Sequence, residues 1–139
     1  MKFTDSTVND IEQLTEWILA DCYHKDCLDP KWWLTGHEGA LTCFCLQDDK
    51  GPTMYVRLDK EEDLIRIHIQ FGPEGEVSKS RVVKSIIKAL PAVKEYAKGQ
   101  GFKGFIYRST SESLISFLQM KFAFVPVGGD DYQMNFEVG

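Results

Sequence analysis

Long hydrophobic runs are missing from this chain of 139 residues. No apolar stretch nears the ~18 residues that a membrane-spanning helix needs, so no membrane segment is expected. Positive charge is also short. Sixteen Lys and Arg stand against 21 Asp and Glu, and the net charge of -5 argues against an extended nucleic-acid surface. The opening residues, Met1-Lys2-Phe3-Thr4-Asp5, hold no apolar core followed by a small-residue cleavage site. No secretory signal is therefore expected, and a cytoplasmic setting is. Repeats, low-complexity tracts and an interdomain linker are absent too. One domain over residues 1–139 is the expectation. A domain of this length buries about two-thirds of its unfolded surface and needs neither disulfide nor metal to fold.

Cysteine is scarce, and its spacing excludes the common zinc patterns. The four residues are Cys22, Cys27, Cys43 and Cys45, with no C-x-x-C pair among them. Cys22, His24 and Cys27 offer soft ligands, and Cys43 and Cys45 share a strand face. A zinc module is thus one alternative. The reading preferred here makes Cys43 and Cys45 small core residues and expects no metal.

What is present is 43% hydrophobic and 27% charged, ordinary values for a globular protein, and it is patterned. Thr7 or Asn9 can cap a helix that carries Ile11, Leu14, Trp17 and Ile18 on one face. A short helix is expected after Pro30, at residues 31–34. Residues 40–46 are apolar on both faces, which predicts a covered strand. Residues 53–59 and 64–71 alternate and are joined by Lys60-Glu61-Glu62-Asp63, which predicts a hairpin. The period then becomes helical. Ser78 or Ser80 can cap a long helix through Tyr96 that Pro91 should kink or split, and Gly99 and Gly101 stop it. A strand at 102–107, a helix at 111–120 and strands at 122–127 and 132–138 complete the order. The strand–helix–strand unit from Leu64 to Tyr107 should be a right-handed parallel crossover. The expected fold is α+β, a mixed six- to seven-stranded sheet with helices on both faces and that one crossover.

The polar face of the hairpin carries Tyr55, Arg57, Arg66, His68 and Gln70. If Val56 pairs with Ile67, Arg57 faces Arg66 and Tyr55 faces His68. Opposed like charges need neutralising, by a carboxylate such as Asp21 or Glu38 or by an anionic ligand. An imidazole with an ordinary pKa near ~6.5 suits general base work on an amine.

Two segments resemble the GNAT acyltransferase superfamily. Tyr96-Ala97-Lys98-Gly99-Gln100-Gly101-Phe102-Lys103 looks like the end of that family's central helix and the following strand. Lys121-Phe122-Ala123-Phe124-Val125-Pro126-Val127-Gly128 looks like its K-x-G-F-x-x-V-G segment, with Ala123 where Gly is usual. The likeness covers about the last eighty residues and bears on fold before activity.

The resemblance implies acetyl-CoA as cosubstrate and transfer of its acyl group to a small-molecule or peptide amine, with no nucleic-acid or membrane partner. It places the coenzyme's pyrophosphate at the start of the central helix, where free N–H groups and the helix dipole attract an anion. The usual glycine loop falls on Arg81-Val82-Val83-Lys84-Ser85-Ile86, in which only Arg81 fits. A shifted match makes Ser78, Lys79, Ser80 and Arg81 the phosphate-facing turn. His68 is the implied base, with Tyr55, Arg57 and Arg66 beside the acceptor. The tyrosine that serves the family as general acid falls on Gln119, which cannot donate a proton, and neither can Leu118 next to it. The alternative is a GNAT-fold module without catalysis, of the kind found among small phage virion proteins.

Overall fold

A computed structural model describes residues 2–21, 30–34 and 40–136. Seven strands form one sheet in the order β1-β2-β3-β4-β5-β7-β6. β1 is Lys2–Asp5, β2 Ala40–Asp48, β3 Gly51–Glu61 and β4 Leu64–Phe71; β5 is Gly104–Arg108, β6 Val125–Gly128 and β7 Asp131–Asn135. β4 and β5 run parallel and every other neighbouring pair is antiparallel. The mixed sheet with its single parallel crossover is thus present. β1 has no counterpart in the sequence reading, because its four residues are all exposed and carry no alternation.

Helices cover both faces. α1 (Ile11–Ala20) follows a 3-10 turn at Val8–Asp10. It buries Leu14, Trp17 and Ile18 against Cys45 and Tyr55, with Trp33 of α2 (Pro30–Leu34) beside them. Each such side chain contributes about 1.5–3 kcal/mol. The other face holds the larger core. Val56, Leu58, Ile65 and Phe105 of the sheet pack there on Ile86, Leu90 and Val93 of α3 (Lys79–Gly99) and Leu118 of α4 (Glu112–Phe122).

Ser78 caps α3, its hydroxyl accepting from the Arg81 amide at 3.3 Å. Pro91 does not split the helix. Pro91 and Ile87, whose carbonyl the missing N–H would have met, both lie on the exposed side, where water replaces the lost bond. Gly101, at φ +89, ends the turn that stops α3. α4 runs two residues further than its pattern suggests, so Phe122 ends a helix rather than opening a strand. Ala123 follows it in the left-handed conformation, φ 58 and ψ 32, which explains why glycine suits that position.

The β3–β4 register differs from the expected one by two residues. Val56 pairs with Ile69, Arg57 with His68, Tyr55 with Gln70 and Asp59 with Arg66. The acidic linker is mostly strand: Glu61 pairs with Leu64, and only Glu62, at φ 57, and Asp63 make the turn. A two-residue shift keeps every side chain on its face. It also removes the arginine–arginine opposition. No helix among the described residues is long and apolar enough to cross a membrane.

Candidate active-site cleft

β4 and β5 are hydrogen-bonded neighbours for only three residue pairs, Leu64–Gly104 to Arg66–Ile106. Gly104 anchors that short contact, since a Cβ there would meet the Met134 carbonyl oxygen at 2.4 Å. Beyond Arg66 the strands part and open a cleft of about 830 Å³. Ile67, Ile69, Phe71, Leu90, Leu118 and Phe124 give it an apolar wall. Arg66, His68, Tyr107 and Arg108 line it from the strands, and Asp21, Trp32 and Trp33 from the α1–α2 side.

His68 is the sequence-selected residue that the cleft receives most directly. Its Nε2 lies 3.1 Å from Asp59 Oδ2, and the Trp32 ring meets it edge-on at 4.8 Å. Burial pushes its pKa down to about 4, against the pull of Asp59 and with the help of Arg66 and Arg57. The imidazole is therefore neutral at physiological pH. With Nε2 carrying the hydrogen toward Asp59, Nδ1 is the accepting nitrogen.

Arg66 also lines the cleft, held by Glu61 at 2.9 Å and Asp131 at 3.1 Å. Those contacts raise its pKa, Glu61 contributing most. Asp131 takes Arg108 as well, at 3.3 Å, and its own pKa is lowered, chiefly by Arg66.

Tyr55 and Arg57 do not line the cleft. Tyr55 is fully buried beneath α1; its hydroxyl donates to Asp10 at 2.9 Å and its ring meets Trp17 edge-on. Arg57 is 1% exposed. It donates to Asp59 at 3.0 Å and to the Trp32 carbonyl oxygen, and stacks over the Trp32 ring at 4.3 Å. The neutralising carboxylates are thus Asp59, Glu61 and Asp131. Asp21 binds Gln70 instead, at 3.1 Å, and Glu38 lies outside the described residues.

None of Ser78, Lys79, Ser80 and Arg81 lines the cleft. Arg81 makes two 2.8 Å bonds to Asp48 in the β2–β3 turn. Gln119 is exposed, whereas Leu118 is buried in the cleft wall. Cys22, His24 and Cys27 lie outside the described residues. Cys45 is a buried thiol whose pKa burial lifts to about 11, as its core reading expects. Among the described residues no group of three or more His, Cys, Asp or Glu is placed to hold a metal.

Sequence reasoning missed Asp59 and Tyr107. Asp59 had a signal: two positions from Arg57 on a strand, it shares that residue's face. Tyr107 had a weaker one, its place near the carboxyl end of the strand that follows the crossover, where open sheets bind ligands.

No protein-family model matches the sequence, and a search of curated proteins gives no match. Solved structures do match. An acetyltransferase of the GNAT family from Staphylococcus aureus superposes with a TM-score of 0.73 at 14% identity, over 98% of this chain and 99% of the other. An Escherichia coli N-acetyltransferase named for an alanine of a ribosomal protein gives 0.72 at 9%, over 99% and 95%. The PaiA N-acetyltransferase of Thermoplasma acidophilum, solved with coenzyme A, gives 0.61 at 13%, over 97% and 98%. The chain has the fold of the GNAT N-acetyltransferases.

Proposed function

We propose that this protein transfers an acyl group from acetyl-CoA or a related acyl-CoA to an amine. The observation that carries this reading is the cleft between the parting ends of β4 and β5, with a neutral His68 on its wall. An extended thiol-bearing arm fits there, between one apolar wall and one polar wall. The coenzyme's diphosphate fits less well. The first turn of α3 has amides and the Ser78, Lys79 and Ser80 side chains to offer, but Arg81 is engaged by Asp48 and no glycine brings the backbone close.

The thioester supplies an activated acyl group, and the protein's residues do the rest. His68 takes the proton of the attacking nitrogen at Nδ1, while Asp59 orients the ring through Nε2. A low pKa delays that transfer until the nitrogen has begun to bond and has become strongly acidic. Arg66 sits at the floor of the cleft beside the acceptor. Tyr55 and Arg57 stand behind it and hold the strand and α2 in place. Neighbours of this fold carry names with acceptors as different as a ribosomal-protein alanine and phosphinothricin, so the acceptor class proposed is simply an amine, free or on a peptide.

The Arg81–Asp48 pair favours a second reading, a binding module without catalysis. A thermal-shift titration with acetyl-CoA separates the two. A ligand at a hundredfold excess over its Kd stabilises the fold by about 2.7 kcal/mol. The acyltransferase reading requires that shift and release of free thiol when amines are added. No shift at millimolar acetyl-CoA, with the protein folded, leaves the module.

A further inference from the structure

The buried face of the cleft holds a polar atom without a partner. Tyr107 is 6% exposed, and its hydroxyl is fully buried with no hydrogen bond. Its ring is well provided for, stacked on Tyr132 at 5.4 Å and edge-on to Phe124 at 5.0 Å. A phenylalanine would make both contacts. Burying a hydroxyl unpaired is unfavourable, so such an atom in a folded protein calls for a specific explanation. Tyr107 lines the cleft together with Leu118 and the Ser109–Ser111 turn, on the sheet face that carries α3 and α4. His68 lies on the opposite face, across the opening between the strands.

We propose that Tyr107 donates a hydrogen bond to the departing thioester sulfur, replacing from β5 the donor that α4 lacks. The inference rests on the acyl-transfer reading. In the step, the amine nitrogen bonds to the acyl carbon and the carbon–sulfur bond breaks with its electron pair left on sulfur. The nitrogen's proton passes to His68 and then to solvent. Tyr107 keeps its own proton. Burial raises its pKa to about 12, with Tyr132 adding to the effect, whereas an ordinary thiol ionises near ~8.5. A hydroxyl so weakly acidic stabilises a thiolate by hydrogen bonding and does not protonate it. The thiolate leaves as such and meets a proton in water.

The test is Tyr107→Phe, with Gln119→Ala beside it. Free coenzyme A is the first probe, its thiol titrated by ultraviolet thiolate absorbance in the complex. A hydrogen bond to the charged form favours that form. The bound thiol should therefore ionise about one pH unit lower in the wild type than in Tyr107→Phe, while Gln119→Ala matches the wild type. Transfer from acetyl-CoA should fall in kcat by about 10²–10³-fold in Tyr107→Phe with little change in KM, the loss seen when one such donor is removed. Without ligand, the Phe variant should melt no lower than the wild type, because the hydroxyl it loses had no partner. Equal thiol pKa values, an undiminished kcat or a lower melting temperature would each overturn the role given to Tyr107 while leaving acyl transfer standing. A wild type that neither binds coenzyme A nor transfers acetyl overturns both.

Discussion

β3 and β4 present their polar side chains to the same face of one sheet, yet the two stripes meet different fates. On β3, Tyr55 and Arg57 are sealed. Tyr55 bonds Asp10 at the start of α1, and Arg57 bonds the backbone of α2. On β4, Arg66 and His68 remain half-buried and border open space. The strand sequences do not distinguish the stripes; what lies over them does. α1 and α2 close over β3, while the early parting of β5 uncovers β4. Gln70 marks the boundary: on β4 but fully buried, it donates to the Trp17 carbonyl and to Asp21 of the α1 segment. A polar residue facing a helix must satisfy its hydrogen bonds in protein, and becomes structural. One facing a cleft keeps capacity for a substrate.

The comparison is sharpest when each stripe is broken alone. His68→Gln keeps a donor toward Asp59 and removes the accepting Nδ1. Transfer should fall by about 10²–10⁴-fold while the urea midpoint barely moves, measured by thiol release and by denaturant unfolding. Arg57→Leu should do the reverse. It strands Asp59 and should lower stability by about 3 kcal/mol, a midpoint shift near ~1.5 M urea for a slope of about 2 kcal/mol/M. A variant at Arg57 that folds normally yet loses KM for the acceptor would return that residue to the substrate side.

How much of this was legible follows the same division. Alternation gave the strands, helical spacing gave α1 and α3, and the change of period gave the parallel crossover, because each is a local consequence of burial on one side. Parity put Tyr55, Arg57, Arg66 and His68 on one face. Their separation into covered and open residues depends on the docking of α1 and α2, a tertiary fact without a local signal. The register depended on whether Lys60 and Glu61 were turn or strand, and charged residues at a hairpin tip are compatible with both. The Tyr107 hydroxyl was hidden for a related reason: an aromatic in a buried strand reads as core, and only the packing shows that one of its atoms has no partner.

pH tests the open stripe by a second route. The folded pKa of His68, about 4, lies below the ordinary value of 6.5. Between those values the unfolded chain binds the extra proton, so stability rises with pH across the window and is lost as pH falls from 6.5 toward 4. His68→Gln should flatten that part of the stability curve. In the wild type, the pH profile of kcat/KM should show no histidine step near 6.5, and the His68 limb should appear only toward pH 4. A step at 6.5 would mean that the imidazole is as wet as an ordinary surface histidine. Tyr55→Phe, on the covered stripe, should cost about 1–2 kcal/mol through Asp10 and leave both pH limbs in place.

The smallest effect belongs to a position outside both stripes and serves as their reference. Ala123 is exposed and held at φ 58 after the last turn of α4, where an L-residue with a Cβ pays about 1 kcal/mol for the left-handed conformation. Glycine takes that conformation freely but loses more entropy on folding, which returns part of the gain. Ala123→Gly should therefore raise stability by about 0.5 kcal/mol, seen as a rise of one or two degrees in Tm. Transfer, thiol ionisation and the pH profile should not change, because Ala123 touches neither the cleft nor the α1–α2 cover. A transfer rate that moved with this substitution would show that the end of α4 adjusts the Leu118 wall of the cleft, and that the closed and open sides of the sheet are mechanically linked.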